Sequence, residues 1–166
     1  GQILQIDRWV VKKAFEIMKD ELDKYDILLS INLSAKSIAS PDLIDYLSNI
    51  TKKYNINPNK IEFELTEHSL IFDIDWSKEV IGKLKHLGFG ISLDDFGTRY
   101  SSLNYLSSIP FDSLKIDKSY IDKIVATDKS RVIVEQIIKL SHNLGLTTVA
   151  EGIEENEQLD ILKELD

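Results

Sequence analysis

The sequence predicts an α/β fold: an incomplete (β/α)8 TIM-type barrel with about five parallel strand–helix units. Three observations lead there. Strand-like and helix-like stretches alternate along the whole chain, which is the pattern of a parallel sheet covered by helices. Four of the strand-like stretches sort apolar from polar residues by parity. The stretches between them are long enough to hold helices. Parity alone fits an antiparallel sheet with one wet face, but the helical connections argue for parallel strands covered on both faces. A polar face inside such a fold lines a pocket or a barrel interior. The barrel fits best, with apolar faces meeting the helices and active-site residues at the C-terminal strand ends.

Each element follows in order. Residues 3–24 read as a helix, because Ile3, Ile6, Val10, Ala14 and Ile17 recur at three- and four-residue spacing. Residues 27–34, ILLSINLS, alternate as a strand. Ser40, followed by Pro41 and Asp42, is a plausible cap for a helix running to about Tyr54. Asn57-Pro58-Asn59 marks a turn, and IEFELTE at 61–67 alternates again. A helix over 76–87 stops at Gly88. FGISLDDF at 89–96 is the third strand, a short helix spans 100–107, and SLKID at 113–117 is the fourth strand. A helix over 129–143 ends before Gly145, LTTVAEG at 146–152 is the fifth strand, and 155–165 is a last helix. No linker or clear repeat divides the chain, so residues 1–166 read as one partial domain.

Composition excludes several function classes. The 166 residues hold 20 Lys and Arg against 28 Asp and Glu, a net charge of −8. That balance argues against DNA binding through a basic surface. The absence of cysteine excludes disulfides, thiolate zinc sites and cysteine nucleophiles. No apolar run approaches the roughly 20 residues that span a bilayer, and no signal peptide is visible. His68, His86 and His142 lack metal-ligand spacing and read as surface residues, whereas Trp9 and Trp76 read as packing anchors.

Parity points to chemistry. The polar sides of the strands carry Asn32, Glu64, Asp94 and Lys115, and Asp95 and Glu151 lie near strand ends. Glu64, Asp94, Asp95 and Glu151 would then crowd four carboxylates around one ammonium. Like charges so close need compensation. Divalent cations supply it, and oxygen-only ligands suit Mg²⁺ or Mn²⁺. Two-metal sites of this kind commonly hydrolyse phosphate esters. Plainer readings stay open: an ion pair between Glu64 and Lys115, a capping or core amide for Asn32, and an acidic helix cap for Asp94-Asp95.

Five ordered motifs carry a resemblance: INLS at 31–34, FELTE at 63–67, DDFGTRYSSL at 94–103, FDSLKID at 111–117 and AEGIE at 150–154. With IDRWVVKKA at 6–14, they resemble the EAL domain, the bacterial phosphodiesterase of the second messenger cyclic di-GMP, across essentially the whole chain. The resemblance implies hydrolysis of cyclic di-GMP to linear pGpG with Mg²⁺ or Mn²⁺. It implies Asn32, Glu64 and Asp94 as ligands of one metal, and a bridging Asp94 with Asp95 and Glu151 on the second. It implies Lys115 at the attacking water, so that Lys115, Asp94 and Glu151 form the catalytic set. Glu154 resembles a further glutamate of AEGIE, and Glu67 the residue that holds the loop after DDFG and links it to dimerisation. Arg99 departs from the small residue usual there and is read as a phosphate contact or as a residue in solvent. A homodimer, neighbouring sensor or diguanylate cyclase (GGDEF) domains and a cytoplasmic site, in a parent protein that membranes could anchor, are further implications.

The family's Glu-Ala-Leu motif belongs upstream of the stretch resembling residues 2–14, and its Gln-Gly-Tyr/Phe segment belongs downstream. The expectation is therefore a part-barrel, either a piece of a longer chain or one completed by another copy, whose activity alone is in doubt. A degenerate receptor for cyclic di-GMP and a dimerisation or interaction module are the alternatives to an enzyme.

Overall fold

The computed structural model describes residues 2–71, 73–97 and 103–165. The chain opens with α1 (Gln2–Lys24), then β1 (Leu29–Asn32), α2 (Ala35–Ile38) and α3 (Leu43–Tyr54). After a 3-10 turn come β2 (Ile61–Thr66), α4 (Glu67–Ile71), α5 (Ile74–His86), β3 (Gly90–Phe96) and α6 (Leu103–Leu106). The last elements are β4 (Ser113–Ile116), α7 (Lys118–Ile121), α8 (Asp128–Asn143), β5 (Thr147–Ala150) and α9 (Asn156–Leu165). The five strands lie in the order β1-β2-β3-β4-β5, all parallel, each hydrogen-bonded to its neighbours in sequence. That order is the part-barrel arrangement expected from the alternation. No helix of the described residues is long and apolar enough to cross a membrane.

Local chemistry sets the ends of the elements. The Asp73, Asp117 and Thr127 side chains accept hydrogen bonds from the backbone amides of Trp76, Ser119 and Ser130, satisfying donors that helices α5, α7 and α8 leave open. Helix α3 ends at Asn55, which takes the left-handed conformation at φ +53°. Asparagine tolerates that conformation better than most residues.

The helices pack on one side of the sheet. Ile61, Phe63, Leu65, Ile91, Leu93, Leu114 and Ile116 are fully buried on that face, joined by Leu47, Ile81, Leu84 and Val134 from the helices. Phe63 and Phe89 lie 5.0 Å apart in a tilted pair.

Several expectations are corrected. Strand β1 is shorter than residues 27–34, and Ile27 and Leu28 are exposed. Helix α3 starts at Leu43, not at the Ser40-Pro41 step, and Asp42 at its cap position turns its carboxylate to Arg8 at 2.6 Å and Ser40 Oγ at 2.5 Å instead of to a helix amide. Helices α2, α4 and α7 are too short for periodicity to reveal. Helix α1 forms as expected, but the stripe that revealed it is not the one most deeply buried. Val11, Phe15 and Leu22 point into the core, whereas Ile6 and Ile17 are 53% and 67% exposed. Both stripes have helical spacing, and the inward one carries the bulkier Phe15. Trp9, expected as a packing anchor, is 61% exposed. Trp76 does pack, and its indole donates to the Ile38 carbonyl at 2.9 Å. All three histidines are exposed, as expected.

Candidate metal centre and active site

The polar face of the sheet gathers its charges at the C-terminal strand ends. Strand β1 finishes on Asn32, in register with Glu64 of β2. The Asn32 amide donates to Glu64 Oε2 at 3.1 Å. Glu64 is only 8% exposed, and a carboxylate so buried needs partners. Its other oxygen meets Lys115 Nζ at 2.9 Å. Lys115 rises from β4 and also reaches Asp94 Oδ1 at 3.4 Å and Glu151 Oε1 at 2.5 Å. One ammonium therefore serves three carboxylates from β2, β3 and the residue just past β5. The ion-pair reading of Glu64 and Lys115 is correct as far as it goes, but the pair belongs to a larger network.

Asp94 and Asp95 need a separate explanation. Successive residues of a regular strand point to opposite faces, so parity sends Asp94 inward and Asp95 outward. The structure breaks parity here. The β3–β4 register shifts between Leu93 and Phe96, and Asp95 adopts φ +57°. An extra residue in one strand re-aims the side chains around it. As a result Asp94, Asp95 and Glu151 each bring a carboxylate oxygen within 4.8 Å of the others. The left-handed backbone costs roughly 1–2 kcal/mol for a residue with a Cβ, a strain of the kind that clusters at functional sites. The helix-cap reading of the pair is not what is found, because both residues lie within β3.

The electrostatics agree with the geometry. Burial, then the neighbouring Asp94, Asp117 and Glu151 carboxylates, push the Asp95 carboxyl above its usual range. Burial alone would pull the Lys115 ammonium down, but the hydrogen bonds it donates to Glu151 and Glu64 and the charge of Asp94 outweigh it and hold it well above the usual lysine range. Lys115 thus stays charged at neutral pH. Among the described residues, four carboxylates face one ammonium here, and such an oxygen-rich donor set fits a hard divalent cation. Of the candidate ligands, Asp94, Asp95 and Glu151 bring carboxylate oxygens together, while the two Glu64 oxygens face the Asn32 amide and Lys115.

The other candidate residues lie as follows. Glu67 opens α4, directly after β2, and is 3% exposed. The Glu154 carboxylate turns to Lys118 at 2.9 Å and is largely exposed. Arg99, together with 98–102 of the DDFGTRYSSL motif, lies outside the described residues. Three contributors escape a sequence reading. Asp7 of α1 is buried and accepts from Ser34 N at 3.0 Å, Ser34 Oγ at 2.6 Å and Ser37 Oγ at 2.5 Å, fixing the chain two residues beyond Asn32. Lys118 and Tyr120 of α7 touch the loops that follow Glu151 and Asp95. Each of these contacts joins residues 23 or more apart, so only the IDRW, INLS and KID motifs themselves offered a signal.

Comparison with known proteins gives a consistent result. Residues 1–166 match the family model described as the EAL domain. The signaling protein YkoW of Bacillus subtilis is 41% identical over 165 residues, 99% of this chain and 21% of YkoW. The bifunctional diguanylate cyclase/cyclic di-GMP phosphodiesterase MucR of Pseudomonas aeruginosa is 37% identical over 99% of this chain and 24% of its own length. The structure of the MucR phosphodiesterase in complex with c-di-GMP superposes with a TM-score of 0.93 at 37% identity, over 99% of this chain and 68% of that one. A manganese and c-di-GMP complex of BlrP1 from Klebsiella pneumoniae superposes with a TM-score of 0.88 at 28% identity, over 98% of this chain and 41% of that one. The chain thus spans about a fifth to a quarter of the curated relatives named here.

Proposed function

The chain belongs to the EAL domain family, and on that premise we propose that it supplies the core of a metal-dependent phosphodiesterase that hydrolyses cyclic di-GMP to linear pGpG. The observation that carries this reading is the convergence of Asp94, Asp95 and Glu151 beside Lys115. Asn32, Glu64 and Asp94 would hold one divalent cation, and Asp94, Asp95 and Glu151 the other. Bound there, Mg²⁺ or Mn²⁺ supplies Lewis acidity and makes hydroxide available near neutral pH.

The remaining work falls to the chain's own residues. Lys115 is held charged by its carboxylate neighbours, so it acts as a donor and positive charge rather than as a base. Its place between Glu64 and Glu151 suits it to orient a water and to offset charge on the phosphoryl oxygens. Water adds to phosphorus, the bond to one ribose 3′ oxygen breaks, and that oxygen takes up a proton, leaving a 5′-phosphate. Glu67 holds the loop after DDFG, Glu154 steadies the AEGIE segment, and Arg99 meets a substrate phosphate. The protein works as a homodimer, in the bacterial cytoplasm, alongside sensor or diguanylate cyclase domains.

The test is turnover of cyclic di-GMP by the full-length protein with Mn²⁺ or Mg²⁺, following pGpG by chromatography. Turnover that disappears in Asp94→Ala is the expected result. A folded protein that binds the dinucleotide without cutting it would replace the enzyme with a receptor.

A further inference from the structure

Helix α7 is four residues long and follows the Lys115 strand directly, yet it touches both acidic motifs. On one side the Tyr120 hydroxyl donates to the Gly97 carbonyl at 2.5 Å. Gly97 sits at φ +90°, and a Cβ there would lie 2.9 Å from the Tyr120 hydroxyl oxygen and 3.0–3.1 Å from its ring. On the other side, Gly152 sits at φ +71°, and a Cβ there would come within 2.4 Å of Lys118 Cγ and 2.6 Å of Cδ. Lys118 continues past Gly152 to Glu154 at 2.9 Å and Asp122 at 2.7 Å. Buried Gln158 adds a third link. Its carbonyl oxygen accepts from Glu154 N at 2.8 Å and Glu155 N at 3.0 Å, and its amide donates to the Ile121 carbonyl at 3.3 Å.

Gly97 stands two residues beyond Asp95, and Gly152 one residue beyond Glu151. Both glycines leave out the side chain that would hold α7 away. Gly97, just past β3, and Gly152, just past β5, are therefore seated on one short helix, itself capped by Asp117 at 3.0 Å. We propose that α7 is the spacer that sets the separation of the Asp94–Asp95 pair from Glu151, with Tyr120 and Lys118 as positioning residues for the cation site. This rests on the reading of that site as a divalent-cation centre. Ligand oxygens carried at the ends of separate strands need such support, because a site is only as well defined as the groups that hold its ligands. Neither residue belongs to the acidic cluster itself.

The test is direct Mn²⁺ binding to the full-length protein without nucleotide, by electron paramagnetic resonance or calorimetry, with thermal unfolding in parallel. Tyr120→Phe keeps the ring against Gly97 and deletes only the hydroxyl. Lys118→Ala removes the stem over Gly152, and Lys118→Met retains it. Tyr120→Phe and Lys118→Ala are expected to weaken Mn²⁺ binding by about tenfold, as changes to groups that orient ligands usually do. Lys118→Met stays close to wild type, and all three unfold within a few degrees of it. Unchanged Mn²⁺ affinity in Tyr120→Phe and Lys118→Ala would overturn the proposal while leaving the metal site intact. Losses that merely track lowered melting temperature would also overturn it. A folded wild-type protein that binds no Mn²⁺ would overturn the cation reading and the spacer together.

Discussion

The two faces of the sheet follow opposite rules. On the helix side, seven strand residues from Ile61 to Ile116 are fully buried and apolar, and each contributes to stability by leaving water. On the other side, Glu64, Asp94 and Ser92 are nearly as buried, at 8%, 9% and 0% exposure, but two of them are like charges. Burial there costs stability unless partners offset it. Equal depth thus has opposite meaning on the two faces: one holds the fold together, and the other keeps charges close for a purpose the fold alone does not need.

That contrast can be broken experimentally. Phe63→Ala should lower the unfolding free energy by about 3–5 kcal/mol in urea titrations, because it removes a ring fully buried against Phe89. Lys115→Met should cost about 3 kcal/mol in metal-free protein, the usual penalty for stranding a buried charge, and added Mn²⁺ should restore much of it in thermal melts. A Lys115→Met protein as stable as wild type without metal would erase the distinction between the faces.

Asp95→Asn should act the other way and raise metal-free stability at neutral pH, while Mn²⁺ binding weakens. The sign follows from the raised Asp95 carboxyl. A group easier to protonate when folded penalises the folded state once it is charged, and that penalty fades as pH falls. The gap between Asp95→Asn and wild type in urea unfolding should therefore shrink as pH falls and close only toward roughly pH 3, below the ordinary Asp value of about 3.9, where the carboxyl is protonated in both states. Lys83→Ala, which breaks an exposed pair with Glu79 at 2.7 Å, should change stability by less than about 0.5 kcal/mol and leave turnover unaffected.

Much of the site was legible because strand parity is a local property. Glu64, Asp94 and Lys115 fall on one face by counting alone, and the structure links them through Lys115. Asp95 was not legible by parity, which sends it outward; its place near a strand end and the family motif pointed to it, and a bulge with a left-handed residue brings it in. Helix α1 shows the same limit. Its two apolar stripes have equal periodicity, and choosing Phe15 over Ile17 as the inward residue depends on the shape of elements many residues away.

The sequence by itself determined the alternation of strands and helices, the polar face of the sheet, the oxygen-rich donor set and the family. These rest on short-range periodicity and on motif order, both written within a few residues. Only the tertiary structure decided which face of α1 is buried, that one lysine is shared by three carboxylates, and that α7 packs against both Gly97 and Gly152. Those outcomes depend on contacts between residues distant in the chain, where packing space and charge balance select the partner.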